Sequence, residues 1–177
     1  MTRNTRWLTV LALALGVWAS AWAGPFINKP KVAMRDEMQG LANLRRVGLF
    51  INPLPRLLTG TDVTRDRLRT DIVKTLAGGG IEVLERETRP MLVLSVLTTH
   101  DRRDPDIHTV IIFVDIQQRV RIHRLEKDLS VPTATVITFD IGRRSGIAEL
   151  VEELVRDATT QFMMMEAAAT KYHQNTR

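Results

Sequence analysis

The apolar periodicity of this sequence predicts an α+β fold: a mixed, mainly antiparallel sheet of about five strands with two helices on one face. Three observations carry that expectation. Apolar residues recur at helical spacing in two separate stretches, Leu68-Ile72-Leu76 and Ile147 through Phe162. From Val110 to Ile122 every second residue is apolar except Gln118, which is the alternation of a long strand with one side against a core. The elements also follow the order β-α-β-β-β-β-α, so the first two strands can lie parallel through a right-handed crossover while the later three run antiparallel through short turns.

The chain of 177 residues opens on a segment, residues 1–23, that reads as a secretory signal peptide. Arg3 and Arg6 precede an apolar run from Trp7 to Trp18, and Ala21 and Ala23 supply the small residues of a cleavage site, with the cut expected after Ala23. That run falls short of the roughly 20 residues a helix needs to cross hydrocarbon. An inner-membrane signal anchor is the competing reading, with the run extended through Phe26 and Ile27 and the arginines kept in the cytoplasm. Gly24-Pro25 would interrupt such a helix, so the expected location is exported, periplasmic or secreted. The sequence contains no cysteine, hence neither a thiol to carry a lipid nor a disulfide framework. About 150 residues remain after the leader, enough for one domain to build its own core without staples. No later stretch is long and apolar enough to suggest a membrane span.

Residues 24–44 mix Pro25, Pro30, Gly40 and charged side chains, and read as an irregular lead-in with at most a helical turn near Met34 to Met38. A single α+β domain is expected over 45–166. Its first strand places Val47, Leu49 and Ile51 on one side and ends at Asn52-Pro53-Leu54-Pro55. Thr64 is the expected N-cap of the first long helix, with Val63 positioned to staple against Leu68, and Gly78-Gly79-Gly80 stops it. A short strand follows from Ile81 to Leu84. Met91 to Leu97 is apolar on both faces and reads as a central strand covered from both sides. On the long strand after it, the second face is divided: Ile111 and Phe113 are apolar, whereas Asp115, Gln117, Arg119, Arg121 and His123 are polar. Leu125 to Val131 is expected to turn, with Pro132 opening a last strand through Ala134, Val136 and Thr138 to Asp140. Ser145 is the expected cap of the closing helix, and the polar tail, 167–177, is expected to fray.

The strand Val47-Gly48-Leu49-Phe50-Ile51, the helical stretch Leu68 to Ile72, the step Gly80-Ile81-Glu82-Val83-Leu84 and the long later strand together resemble an uncharacterised family of short exported bacterial proteins. In layout the chain also resembles, more distantly, the N-terminal domain of the TolB translocation protein and related cell-envelope modules that act in assemblies. This resemblance spans most of residues 44 to 160 and implies fold and compartment. It brings no catalytic residues.

Charge excludes one class of partner. Losing Arg3 and Arg6 with the leader takes the formal charge from +5 to +3, too mild for the clustered basic field of a nucleic-acid binder. Between two apolar strands, His100-Asp101-Arg102-Arg103-Asp104-Pro105-Asp106-Ile107-His108 offers two imidazoles and three carboxylates to a divalent metal, the basis of a metal-dependent hydrolase reading. It is also the composition of a charged hairpin tip, and Arg102 and Arg103 oppose a cation, so the turn is preferred. Gly78-Gly79-Gly80 follows a helix instead of preceding one, which fits a cap and not a phosphate cradle. Ser95, Ser130 and Ser145 lack a Gly-x-Ser-x-Gly context. Arg119, Arg121, His123 and Arg124, joined by Arg143 and Arg144, could form an anion-binding patch; a solvated face is preferred because Asp115, Glu126 and Asp128 lie nearby. Met163-Met164-Met165 cannot all face one core at helical spacing, so at least one should be exposed.

The sequence therefore assigns no catalytic, cofactor-binding or metal-ligating residues and no cofactor. Its expected role is that of an exported, non-catalytic cell-envelope protein, an interaction or assembly module with a protein partner or a second copy of itself. The alternative is a periplasmic anion or small-ligand binding protein. Helices on one face leave Ile111 and Phe113 on the other, which is where a partner is expected.

Overall fold

A computed structural model describes residues 36–85 and 88–176. The predicted leader and residues 24–35 of the lead-in lie outside the described residues. A helical turn, α1 (Asp36–Gln39), leads to β1 (Arg46–Ile51), α2 (Arg65–Gly78), β2 (Glu82–Leu84), β3 (Met91–His100), β4 (Ile107–Ile122), β5 (Lys127–Arg143) and α3 (Ile147–Asn175). The sheet order is β2-β1-β3-β4-β5. β1 is parallel to both its neighbours, and β3, β4 and β5 form an antiparallel meander. This is the predicted mixed sheet, with both long helices over the same face.

Alternation decides what that face buries. Val47, Leu49 and Ile51 of β1, Leu92, Leu94 and Val96 of β3, and Val110, Ile112, Val114 and Ile116 of β4 are all buried in one core. From the helices, Leu68, Ile72 and Leu76 of α2 and Val151, Leu154, Val155, Ala158 and Phe162 of α3 close over them. The Thr64 hydroxyl caps α2 by accepting the Arg67 N–H at 3.2 Å, and Val63 and Leu68, the two positions of the expected staple, are both buried in the core. α2 runs to Gly78, and Gly80 takes a left-handed φ of 78° before β2. A two-pronged ion pair joins the helices, with Arg67 Nε 2.8 Å from Glu152 Oε1 and Nη2 donating to Oε2 at 3.0 Å.

Three local expectations change. The turn predicted over Leu125–Val131 is tighter, a 3₁₀ turn at His123–Leu125 closed by Glu126 in the left-handed region. β5 therefore begins at Lys127 and contains Pro132, which sits where the ladder slips register opposite Ile116/Gln117. An edge strand tolerates the missing N–H there. Ser145 does not cap α3: it lies in a 3₁₀ turn, Arg144–Gly146, and Gly146 precedes the helix without a side-chain cap. The segment after Ala167 does not fray but continues α3 to Asn175. Ala169 is fully buried, and the Thr170 hydroxyl accepts the N–H of Asn43, which holds the left-handed φ of 60° that asparagine tolerates.

Candidate functional site

Among the described residues, no helix lies over the second face of the sheet. Odd-numbered positions of β3 and β4, and of β5 from Thr135 onward, point there, and the ladder aligns Leu97 with Ile111, Ile111 with Phe139, Phe113 with Ile137 and Thr109 with Ile141. Leu97 is 53% exposed, Ile137 54%, Phe139 70% and Ile141 62%, while Ile111 and Phe113 are half-buried between them. The result is one apolar surface across three strands. Its cover resumes toward the start of β3, where Met91 and Val93 are buried, so the double-sided covering predicted for that strand stops at Ser95. Polar contacts bound the patch: Thr135 donates to the Asp115 carboxylate, and Asn52 Nδ2 donates to Ser95 Oγ at 2.7 Å.

Sequence periodicity located Ile111 and Phe113 but missed Ile137, Phe139 and Ile141. The signal was present, since these three alternate as regularly as Val136 and Thr138, yet a strand apolar on both sides does not say which side is the core. Met164, 60% exposed on α3, meets the expectation that at least one of Met163, Met164 and Met165 lies outside the core.

The other candidates are placed as follows. His100 and His108 face each other across β3 and β4 with ring centroids 6.2 Å apart. His108 is buried, and its Nε2 has no hydrogen-bond partner among the described residues. The carboxylates between them are turned to the backbone: Asp101 accepts the Arg103 N–H and Asp104 the Asp106 N–H, as in Asx turns. Asp106 meets Arg143 at 3.3 Å. Among the described residues no three His, Asp or Glu side chains converge as ligands. Ser95 and Ser130 each accept a side-chain hydrogen bond, from Asn52 and Arg89, and Ser145 is exposed.

The anion patch is not assembled. Arg119, Arg121, His123 and Arg124 lie at the tip of the β4–β5 ribbon and Arg143 at the opposite end of β5, roughly 40 Å away along the strand. Arg121 also pairs loosely with Asp128 at 3.9 Å. A cavity of about 460 Å³ lies instead where β1 ends and α2 begins, lined by Thr64, Arg65, Asp66 and Arg69 among others. Arg69 Nη2 is occupied there by the Leu49 carbonyl at 2.9 Å. Periodicity gave no sign of this cavity, because it depends on how the α2 start sits over the strand end.

No family model matches the sequence, and no curated protein matches it. Among solved structures the chain is similar to a minor lipoprotein from Acinetobacter baumannii, at 13% identity and a TM-score of 0.38, over 71% of this chain and 92% of that one. It is also similar to a protein described as a lipoprotein from Caulobacter crescentus CB15, at 10% identity and a TM-score of 0.33, over 80% of this chain and 96% of that one.

Proposed function

We propose that this chain is an exported, non-catalytic protein of the cell envelope that works as an interaction or assembly module through the open face of its sheet. The observation that carries this reading is the exposure of Leu97, Ile137, Phe139 and Ile141 side by side on one face. Contiguous apolar surface of this kind is disfavoured in water and marks sites that a partner covers. Export is supported by Arg3, Arg6, the Trp7–Trp18 run and the Ala21/Ala23 pattern, and no helix among the described residues is long and apolar enough to cross a membrane.

Photo-crosslinking in the cell that makes the protein tests this. A photoreactive residue at Phe139 or Leu97 should give covalent protein adducts, whereas one at Lys74, on the outer side of α2, should not. Adducts from none of the open-face positions, with the protein folded and exported, would contradict the reading.

The anion-binding alternative keeps one specific support, the cavity at the start of α2, lined by Arg65 and Arg69 together with the opposing carboxylate of Asp66. Thermal-shift measurements against phosphate, nucleotides and acidic glycans discriminate it, since a ligand of the native state raises the melting temperature.

A further inference from the structure

β5 is an edge strand, and bonds at the end of the ladder fix which of its backbone groups are free. Arg144 N–H donates to the Asp106 carbonyl at 2.9 Å, one step beyond the Ile107↔Arg143 pair. Bonded and non-bonded pairs alternate along an antiparallel ladder. From Ala134 to Gly142, therefore, even-numbered residues of β5 bond to β4 and odd-numbered ones turn N–H and C=O outward. Ile141 obeys this parity, because its N–H is taken by the carboxylate of Asp140 at 2.7 Å instead of by β4. Thr135, Ile137 and Phe139 have no such partner among the described residues, leaving three consecutive outward amides unbonded on a strand whose side chains there are exposed. A strand edge of this kind is a template for another strand.

A groove of about 350 Å³ follows the same edge between β5 and α3. Ile137 and Phe139 line its sheet side, and Leu150, Leu154, Glu153 and Asp157 line its helix side. Glu153 and Asp157 are exposed and form no ion pair among the described residues, and with Asp140 they make the wall acidic.

We propose that the β5 edge receives an added strand from a partner protein, an extended segment in which apolar residues alternate with Lys or Arg. Side chains of a strand point alternately to its two faces. In the added strand one set would join the apolar surface beside Ile137, Phe139 and Ile141, and the other would hang over the groove toward Asp140, Glu153 and Asp157. Main-chain bonds to Thr135, Ile137 and Phe139 supply the docking, and charge complementarity selects the sequence. A second copy of this chain fits poorly. Antiparallel pairing of β5 with its own copy needs a two-fold axis normal to the sheet, which brings both α3 helices to the same face and sets the two acidic walls against each other.

This inference rests on the interaction reading and adds the partner's chemistry to it. The test uses the full chain and three labelled peptides of about seven residues: alternating Lys-Val, alternating Glu-Val, and the Lys-Val peptide with a central proline. Binding is read by fluorescence anisotropy and by amide hydrogen exchange. The Lys-Val peptide should bind and slow exchange at Thr135, Ile137 and Phe139, while the other two should not. Combining Glu153→Lys with Asp157→Lys should weaken it about tenfold or more, since attraction becomes repulsion, with the melting curve checking that the variant folds. Equal binding of the Lys-Val and Glu-Val peptides, or binding that leaves those amides exchanging freely, would overturn the proposal. Concentration-dependent protection of the same amides in the protein alone would overturn it in favour of a second copy. Failure of the peptides while adducts still form from Phe139 would leave the interaction reading standing with flat docking in place of strand addition; failure of both would remove both.

Discussion

Phe162, on the apolar stripe of α3, lies fully buried in the core, whereas Phe139 projects from the other face of the sheet with 70% of its surface exposed. Truncating the first to Ala removes a large core side chain and leaves a cavity, so Phe162→Ala should cost about 3–5 kcal/mol. Phe139→Ser removes nothing from the core and should change stability by less than about 0.5 kcal/mol. Urea unfolding of the two variants measures both. Gly142 is constrained differently: a Cβ there would stand 2.8 Å from Leu150 Cδ2. Because that atom is the terminal methyl of a half-buried side chain that can turn aside, Gly142→Ala should cost less than about 1 kcal/mol, and the cost should shrink in a Leu150→Ala background, as a double-mutant cycle would show. At this scale the core was legible wherever one face was polar. Leu68, Ile72 and Leu76 announce themselves by spacing. Ile137, Phe139 and Ile141 do not, because only the neighbouring strands decide which side of β5 meets the helices.

Among the elements, α3 and β5 depart furthest from what periodicity gives. The apolar stripe of α3 thins after Phe162, so its polar composition reads as a tail. What holds those last turns is distant in sequence: Ala169 packs into the core and Thr170 receives Asn43 from the other end of the described chain. Ending the protein at Glu166 should cost about 1–3 kcal/mol, the combined loss of a buried contact and a hydrogen bond. An unchanged urea midpoint would show that these turns contribute nothing. In β5, Pro132 argued for a strand start, since proline removes a ladder donor. Its position at a register slip on an edge strand removes that conflict, and only the pairing with β4 reveals it. The hairpin at 101–106 shows the reverse case, because Asp at turn positions has a local purpose that composition alone exposes, and Asp101 and Asp104 serve it.

At the scale of the whole fold, the helices among the described residues cover one face of a five-stranded sheet and leave the other open. The order of elements made that asymmetry legible: a single crossover and a closing helix place both long helices on one side. The extent of the open surface was less so, because it depends on the Leu97–Ile111–Phe139 alignment across three strands. If that surface and the acidic groove beside it meet one partner, association should weaken as salt is raised, since exposed charges are screened within about 10 Å at 0.1 M. Apolar docking alone would not show that loss. Covalent carbene footprinting, read residue by residue, tests the central claim most directly. In the purified protein Leu97, Ile137, Phe139 and Ile141 should label strongly and Ile112, Val114 and Phe162 should not; in the intact envelope the first group should become protected. Strong labelling of the open face in both settings, or shielding already complete in the isolated chain, would contradict the account.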